Sequence, residues 1–362
     1  MTDIKENNEV EKRTAENAKI AVYGAGAMGT VLGALLTLGG LKHVDLITRN
    51  KDHVRGLKEN GAQIVCEAEG NELTVQVNAL TPDEMTEKYD VVFLMTKQRH
   101  NAEILNFLLP YLKEDAAVCT TQNGLPEKSV AEIVGKERTY GGVASFGATF
   151  IGGGRVALTS KTSGMSVQVA GYENDGANTP LLYEILTYAG KATGNDEFAK
   201  VSYNFAGARW SKLAINAAFS GLSVVTGQTF GEIAKGRKTK KLALGILKEC
   251  FEVASAAGVV LEKMQGHDLQ KMLGGKGFFK TRFALFALPI AMKKHKKLVS
   301  GMRKDVENGR KCEIDYINGV VCKVGKEVGV ETPLCDKVVE ITHGIENGLF
   351  ETSPKNVDFF KI

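Results

Sequence analysis

The chain has 362 residues, of which 43% are hydrophobic and 24% are charged, and its formal net charge is +4. This composition is typical of an ordinary globular protein, and the length allows two domains with cores of their own. The small net charge does not favour nucleic acid as a partner, and the sequence has neither a membrane-length apolar run nor the layout of a secretory signal. We therefore expect a cytoplasmic protein that binds neither nucleic acid nor membrane.

The cysteines are scattered along the chain without a C-x-x-C pair, so the sequence predicts neither a disulfide framework nor a zinc site. It also lacks H-E-x-x-H and aspartate-rich loops, and we expect no metal. Most of the cysteines are predicted to be small core residues. They are Cys66, Cys119, Cys250, Cys312, Cys322 and Cys335.

The first predicted element is a strand that leads directly into a glycine-rich loop. Residues 19–23 are a β-prone run, and a helix-permissive apolar segment covers residues 30–38. Between them lie Gly24, Ala25, Gly26, Ala27, Met28 and Gly29. In this context G-x-G-x-x-G binds a dinucleotide, with the pyrophosphate at the helix N-terminus. Gly24 permits the tight turn, Gly26 leaves room for the pyrophosphate, and Gly29 lets the helix pack on the strand; the alternative is a merely structural turn.

The second predicted strand, residues 43–48, indicates which dinucleotide binds. An NAD-specific site usually has Asp or Glu at the end of this strand, whereas this chain has Arg49, with Lys51 nearby. A guanidinium is a planar, permanently charged partner for a 2′-phosphate. Asp45 lies too early, within the strand, to bind the ribose. We therefore predict NADP as the cofactor; the alternative is that Arg49 is an ordinary exposed loop residue.

The pattern of the chain predicts two kinds of domain. From residue 19 to about 195, short β runs alternate with helical segments, which predicts an α/β domain of the Rossmann type with a doubly wound parallel sheet. Segments 155–158 and 166–170 are expected to add strands at the end of that sheet. From about residue 197 the pattern is helical almost throughout, so the C-terminal domain is predicted to be all-α.

The predicted helices of the second half cover residues 203–222, 240–257 and 301–325, and a basic run at 293–297 is expected to be simply solvated. We expect four segments along the chain. These are a flexible N-terminal tail over 1–17, an NADP-binding domain over 18–197, a helical substrate and catalytic domain over 198–350, and a C-terminal tail over 351–362.

Candidate site residues follow two strands of the predicted sheet. Thr96-Lys97 and Gln122-Asn123-Gly124 each come directly after a strand, at the carboxyl edge where ligands bind in such sheets. Lys97 can neutralise an anionic ligand, and Asn123 can hydrogen-bond a carboxamide or a hydroxyl. The alternative is that Asn123-Gly124 is a simple turn.

A second cluster lies on a predicted helix of the C-terminal domain. Lys212 and Asn216 are four residues apart and therefore share a face, in an otherwise apolar neighbourhood. Burial would lower the pKa of the lysine and make proton donation easier, although the side chain could also extend to solvent. Glu313 and Asp315, in the predicted 301–325 helix with Asp305 and Arg310, cannot share a face; spacing alone does not choose between them.

Taken in order, these motifs resemble the ketopantoate reductase family over residues 19 to 348. The matching segments are the glycine loop, Arg49, Thr96-Lys97, Gln122-Asn123-Gly124, the Lys-x-x-x-Asn of the second cluster, and Met302 to Asp315. The resemblance implies reduction of 2-dehydropantoate to pantoate with NADPH. It implies that Lys212 is the general acid, that Glu313 binds the substrate hydroxyl and positions the lysine, and that Asn123, Asn216 and Lys97 contact cofactor or substrate.

The chain departs from the family pattern where substrate is expected to bind. Gly301 stands where a serine commonly precedes the methionine, with Ser300 one place earlier, and Ser220-Gly221 replace a second asparagine followed by proline. Ser220 and Ser300 are therefore candidate substrate contacts. A different branched or hydroxylated 2-oxo acid is an alternative substrate. A non-catalytic NADP-binding sensor is a further alternative, which the presence of both Lys212 and Glu313 disfavours. We also expect that the chain can form a homodimer.

Overall fold

The computed structural model describes residues 13–264, 266–275 and 277–361 and divides into two compact units. The sheet unit comprises the described residues up to Thr96, together with Ala102–Thr121 and Val130–Val201. The helical unit comprises Lys97–Asn101, Gln122–Ser129 and the described residues from Ser202 onward. The predicted order, an α/β domain followed by a helical one, is confirmed.

The sheet unit contains all strands found in the described part of the chain, in two sheets. Its strands are β1 (Ile20–Tyr23), β2 (Val44–Ile47), β3 (Ala62–Cys66), β4 (Asn71–Val75), β5 (Asn78–Leu80), β6 (Tyr89–Leu94), β7 (Leu112–Thr120), β8 (Thr139–Ala144), β9 (Ala148–Gly152), β10 (Arg155–Leu158), β11 (Val167–Gly171) and β12 (Ala199–Val201). Its helices are α1 (Ala27–Leu38), α2 (Lys51–Asn60), α3 (Asn101–Leu108), α4 (Glu127–Val134) and α5 (Thr179–Thr193), of which α3 and α4 begin within segments of the helical unit.

The main sheet has eight strands in the order β12-β11-β8-β7-β6-β1-β2-β5, and most neighbours in it are parallel. Strands β1, β6 and β8 are buried along their whole length. Strands of this kind are covered on both faces, and their residues are accordingly mostly apolar rather than alternating between apolar and polar, with Asp90 in β6 and Thr139 in β8 as buried polar exceptions. The doubly wound parallel sheet predicted from the sequence is confirmed.

One predicted strand lies in a different sheet. β11 extends the main sheet as expected, but β10 belongs to a separate four-stranded sheet with the order β4-β3-β10-β9. The connection from β9 to β10 is only two residues long, which keeps β10 antiparallel to β9, while its other edge pairs in parallel with β3. The prediction that both segments extend the main sheet is therefore wrong for residues 155–158.

The helical unit is built around one long helix whose middle is π-helical. That helix consists of α6 (Phe205–Ile215), a π-helical segment (Asn216–Gly221) and α7 (Leu222–Thr226). The other helices are α8 (Phe230–Lys235), α9 (Thr239–Ala256), α10 (Leu269–Leu273), α11 (Phe278–Ala291), α12 (Gly301–Glu307), α13 (Ile314–Val328) and α14 (Pro333–Glu346). Their apolar faces form a single core that includes Leu213, Leu247, Ile317 and Val338.

The single helix predicted over residues 301–325 is wrong. α12 ends at Glu307 and α13 begins at Ile314. Gly309 adopts φ +67°, and the Arg310 N–H donates to the Asp305 carbonyl at 2.9 Å, which closes α12. Glu313 is consequently the residue that precedes α13, and Arg310 lies in the connection rather than on a helix face.

The ends of the chain are more closely packed than the sequence suggested. Residues 1–12 of the predicted N-terminal tail lie outside the described residues, but Ala15 is only 1% exposed and Tyr188 donates to Glu16 at 3.1 Å. At the other end, the Asn356 amide donates to the Val225 carbonyl at 2.9 Å, and Val357 joins the core. Residues 13–17 and much of 351–361 thus contact the units instead of forming free tails.

Three further observations concern the described residues as a whole. All six cysteines are buried and none is in a disulfide, which confirms their assignment to the core. Within the described ranges, no helix combines the length and the apolar character that crossing a bilayer requires. No group of His, Cys, Asp and Glu side chains in the same ranges is arranged to hold a metal ion.

Candidate active site

The glycine loop of the sheet unit has the geometry that a dinucleotide requires. Gly24 has φ +103°, and a Cβ there would lie 2.6 Å from the Thr96 nitrogen. A Cβ at Gly29 would lie 2.5 Å from the Gly24 carbonyl oxygen. At Gly26, which caps α1, a Cβ would meet only the Gly24 carbonyl oxygen, at 4.0 Å. Since nothing in the described protein requires glycine at 26, the open space at this helix N-terminus fits a pyrophosphate.

Backbone hydrogen bonds hold this loop at the end of β2. The N–H groups of Gly24 and Ala25 both donate to the Ile47 carbonyl at 2.9 Å, and the Gly26 N–H donates to the Gly24 carbonyl at 2.7 Å. Ala27 and Met28 form the first turn of α1 and pack, partly buried, on the core of the sheet unit. The loop is therefore shaped before any ligand binds.

Asp45 of β2 and Arg49 of the loop that follows it differ in how readily their side chains could bind a ligand. Asp45 accepts from the Asn78 amide at 2.6 Å and from the Tyr89 hydroxyl at 2.7 Å, so the prediction that it lies within the strand is confirmed. Arg49 lies in the loop after β2 with its guanidinium exposed, and it forms an ion pair with Glu103 at 2.6 Å. An exposed pair of this kind is weak and can be exchanged for a better anion.

In the helical unit, Gln98 joins three of the predicted segments. Its backbone N–H donates to Glu313 Oε1 at 3.0 Å, and its side-chain amide donates to the Asn123 carbonyl. The neighbouring Lys97 forms an ion pair with Asp305, which also binds Arg310 at 3.3 Å. Asn123 itself is exposed. The sequence analysis did not select Gln98, although its position next to Lys97 was a usable signal.

The carboxyl group of Glu313 lies in buried surroundings that favour its protonated form. Burial raises its pKa above the ordinary value, against the lowering effects of the Gln98 N–H and the Lys97 ammonium. An ionised carboxyl group accepts hydrogen bonds and a protonated one can also donate, and the raised pKa makes the protonated form of Glu313 easier to reach. Gly124 fixes the same region, since a Cβ there would collide with the Tyr316 carbonyl in the first turn of α13.

Lys212 lies on α6 and is half-buried. Burial is the main reason that its pKa falls to about 7, and the positive charge of Arg209 lowers it further. Arg209 is three residues earlier and therefore on the same side of the helix. A lysine whose pKa lies near neutral pH is suited to proton transfer, because both of its protonation states are accessible.

Arg209 also ties α6 to the loop that carries Asn123. Its guanidinium forms an ion pair with Glu127 at 2.5 Å, with both side chains almost completely buried, and donates to the Gln122 carbonyl at 2.7 Å. The Gln122 side chain is in turn hydrogen-bonded to Asn101. Arg209 could have been noticed from its spacing to Lys212, whereas nothing in the local sequence connects Glu127 with either residue.

The π-helical segment contains two of the predicted substrate contacts. Asn216 begins it, one turn after Lys212, and Ser220 lies near its end. The Asn318 amide of α13 donates to the Ala217 carbonyl at 3.1 Å, so the buried Asn318 supports the irregular turn. Such segments are frequent at functional sites because they place an extra residue into a helical turn.

Ser300 is brought to the same segment. Its hydroxyl donates to the Ser220 carbonyl at 3.4 Å and accepts from the Arg303 N–H at 3.0 Å, where it caps α12. The side chain is buried, with 3% exposure. A Cβ at Gly301 would meet nothing in the described structure within 4 Å. The structure thus brings Ser300 to Ser220, but the contact is made with the backbone carbonyl of Ser220, and the Ser300 hydroxyl is also engaged in capping α12.

Comparisons with known proteins agree with this arrangement. The family model "Ketopantoate reductase PanE/ApbA" matches residues 20–169, and its C-terminal counterpart matches residues 204–346. The 2-dehydropantoate 2-reductase of Lactococcus lactis is 28% identical over 332 residues, covering 91% of this chain and 98% of that protein. The enzyme of the same name from Pyrococcus abyssi is 28% identical and covers 87% and 94%.

Solved structures show the same fold. D-mandelate dehydrogenase, in a ternary structure with NADH and anilino(oxo)acetate, is 25% identical with a TM-score of 0.76, over 91% of this chain and 99% of that one. The fold, the glycine loop and the similarity to these enzymes therefore define an oxidoreductase with a Rossmann-type nucleotide domain. With both family models matched along the chain, this protein belongs to the ketopantoate reductase family.

Proposed function

We propose that this chain reduces the ketone of a 2-oxo acid to an alcohol with NADPH, and that 2-dehydropantoate is the substrate. The observation that carries the proposal is Lys212, whose pKa is lowered to about 7 on the helix that continues into the π-helical segment. The relatives named 2-dehydropantoate 2-reductase, similar along almost their full length, support the choice of substrate. A small-molecule reaction of this kind also fits the cytoplasmic location expected from the sequence.

Lys212 is the proposed general acid. Its ammonium group hydrogen-bonds the ketone oxygen, polarises the carbonyl, and gives up a proton as negative charge develops on that oxygen. NADPH, when bound, supplies the hydride. The amine left after the reaction regains a proton from water, which a pKa near neutral allows within each turnover.

The remaining polar groups are proposed to hold the substrate. Glu313 accepts a hydrogen bond from a substrate hydroxyl, and Asn216 orients the oxo acid one helical turn from Lys212. Lys97 and Asn123 contact cofactor or substrate from the loops that follow β6 and β7. Ser220 and Ser300 contribute from the end of the π-helical segment. Hydrogen bonds of this kind set the angle of attack rather than supply the chemistry.

Replacing Lys212 tests the proposed acid. In Lys212→Ala we expect kcat to fall by about three orders of magnitude, since general acid catalysis contributes about 10²–10⁴-fold. The NADPH dissociation constant should change by less than about twofold, since the substitution removes no proposed contact to the nucleotide. Lys241→Ala, which removes an exposed lysine of α9, serves as the matched control. Turnover close to that of the unmodified protein would rule out the role of Lys212.

Arg49 is proposed to select NADPH over NADH. Asp45 is engaged by Asn78 and Tyr89, whereas the exposed Arg49 can exchange Glu103 for a 2′-phosphate. In Arg49→Ala, the KM for NADPH should rise by about tenfold or more, and the KM for NADH should hardly change. Arg55→Ala is the control, because Arg55 is an exposed arginine of α2. Equal losses with both nucleotides would remove this basis for NADP specificity.

A different 2-oxo acid is the second candidate substrate. It is favoured by Ser300, whose hydroxyl is occupied in capping α12, and by Gly301, which lacks the expected side chain. A neighbouring structure, of a protein with the same fold, holds anilino(oxo)acetate, in which a phenyl group is attached through nitrogen to the oxo carbon. A panel of aliphatic, hydroxylated and aryl 2-oxo acids, followed by NADPH absorbance, decides between the substrates. NADPH binding without turnover on any member would instead indicate a non-catalytic binding protein.

A further inference from the structure

The exposed side of α11 is unusual for a helix at a protein surface. Phe279, Phe283, Phe286 and Ile290 are 85%, 59%, 71% and 61% exposed, and we call these four residues the α11 face. Their spacing of four, three and four residues places them on one side of the helix. The opposite side, with Ala284, Ala287 and Leu288, is buried in the core of the helical unit.

The α11 face is therefore apolar on a helix that is already packed. A helix that is hydrophobic on both sides is normally covered on both sides. A contiguous row of large apolar side chains at the surface marks an interaction site more often than chance exposure does. The row is also anchored: Lys248 of α9 donates to the Gly275 carbonyl at 3.0 Å and to the Thr281 hydroxyl at 3.2 Å, next to the start of α11.

The charges along the chain segment that carries the α11 face have one sign. Residues 269–304 contain ten Lys and Arg residues and no Asp or Glu, although the net charge of the whole chain is only +4. Lys280 and Arg282 are exposed in the first turns of α11, and Lys293, Lys296 and Lys297 are exposed just beyond its end. The basic run that the sequence analysis treated as simply solvated thus extends a row of exposed phenylalanines.

This combination identifies the kind of partner. A two-fold contact with a second copy would place the same basic stretch opposite itself, without a carboxylate within residues 269–304 to neutralise it. An anionic lipid surface meets both requirements, since phenylalanines enter the boundary between headgroups and acyl chains while lysines and arginines stay at the phosphates. We propose that the α11 face docks this protein on anionic membranes, with α11 lying in the plane of the surface.

The proposal differs from the expectation of no membrane partner, which rested on the lack of a membrane-length apolar run. Peripheral docking needs no such run. The net charge of +4 does not reveal the local excess of Lys and Arg, because acidic residues elsewhere in the chain offset it. Docking of this kind is peripheral and reversible, and it is independent of the reaction proposed above. It adds a location for the enzyme without changing its chemistry.

Vesicle sedimentation of the full-length protein tests the docking. Vesicles of phosphatidylcholine with an equal part of phosphatidylglycerol should bind the protein, with affinity falling as salt rises, whereas phosphatidylcholine alone should not. Phe283→Ser with Phe286→Ser should weaken binding by about tenfold or more. Lys280→Ser with Arg282→Ser should weaken vesicle binding similarly. This second double variant still tests the docking if the phenylalanine variant fails to fold.

Matched controls lie on other surfaces of the helical unit. Leu349→Ser removes a side chain that is 74% exposed, and Lys323→Ser with Lys326→Ser removes two exposed lysines of α13. Both should bind vesicles as the unmodified protein does. The proposal is overturned by no binding at low salt, by equal binding to neutral vesicles, or by α11 variants that bind unchanged. A dimer that Phe283→Ser with Phe286→Ser converts to monomer would also overturn it, because a second copy would then cover the face.

Discussion

The buried ion pair between Arg209 and Glu127 should tune the acidity of Lys212. Arg209 lies three residues before Lys212 on α6, and its charge lowers the pKa of the lysine beyond the larger effect of burial. Glu127 lies 2.5 Å from the same guanidinium and partly cancels its charge. Removing either member breaks the same contact but changes the charge near Lys212 in opposite directions. The two substitutions Arg209→Gln and Glu127→Gln therefore separate electrostatic tuning from simple structural support.

The size of the effect follows from the helix geometry. Side chains at i and i+3 have Cβ atoms about 5–6 Å apart, so the two charges are about 8 Å apart. With an effective dielectric constant of about 20, this repulsion is worth about 2 kcal/mol, of which Glu127 cancels a part. About 1.4 kcal/mol remains, which corresponds to about one pH unit. Burial accounts for the rest of the fall from 10.5 to about 7.

The pH dependence of kcat/KM for the oxo acid, at saturating NADPH, measures the change. The proposed acid must be protonated to act, so we expect the rate to fall as pH rises through the pKa of Lys212. In Arg209→Gln this alkaline limb should move up by about one pH unit. The raised pKa of Glu127 lets that carboxyl take up a proton once its partner is gone, so the variant should still fold. In Glu127→Gln the limb should move down, because the Arg209 charge is then uncompensated.

The control and the refuting results are specific. Lys238→Gln breaks an exposed ion pair with Asp358 and should leave the pH profile unchanged. If both buried-pair variants move the limb in the same direction, or if neither moves it, the charges of Arg209 and Glu127 do not act on the catalytic proton. A fall in rate at every pH without displacement of the limb would assign the pair a structural role only.

Three further predictions concern the glycine loop, the cap of α12 and a buried histidine. Gly26→Ala should weaken NADPH binding by about tenfold or more without lowering the melting temperature, whereas Gly29→Ala should destabilise the fold. Fluorescence titration measures the binding and melting curves measure the stability. Equal destabilisation by the two substitutions would contradict the open space inferred at Gly26. Ser300→Ala should lower the free energy of unfolding in urea by about 1 kcal/mol, and Ser300→Asn should restore it if the role is capping. Burial lowers the pKa of His53 from 6.5 to about 4, so its stabilising contribution is present above pH 6.5 and is lost, by up to about 3 kcal/mol, as pH falls towards 4. His53→Gln should flatten urea unfolding curves measured over this pH range, and an unchanged pH dependence would contradict the assignment.

The sequence was sufficient to predict those features that depend on short stretches of the chain. The strand–glycine–helix unit could be read residue by residue because backbone conformation and close packing at Gly24 and Gly29 leave few alternatives. The loops after β6 and β7 were selected because parallel strands end at the same edge of a sheet. Lys212 followed from the apolar surroundings of a charged residue on one helix.

Features that depend on contacts between residues far apart along the chain could not be predicted from the sequence. The apolar period continues through residues 301–325, so it could not reveal that Gly309 ends α12 or that Glu313 lies outside a helix. The π-helical segment adds a residue to one turn without altering composition, and its support comes from Asn318, about a hundred residues further on. Glu127 meets Arg209 across a sequence separation of 82 residues, which no spacing rule anticipates.

Because of the path of the backbone, we do not expect the N-terminal and C-terminal halves of the chain to fold stably as separate fragments. The chain enters the helical unit at Lys97 and again at Gln122, and each time it returns to the sheet unit before the final crossing at Ser202. A gene split at the expected domain boundary would leave Glu127 on one fragment and Arg209 on the other. An isolated C-terminal fragment would then bury a guanidinium with no carboxylate, at a cost of about 3–5 kcal/mol, a large share of the stability of an ordinary domain. We therefore expect activity when the two fragments are produced in the same cell, and no activity when each is produced alone and the two are mixed afterwards.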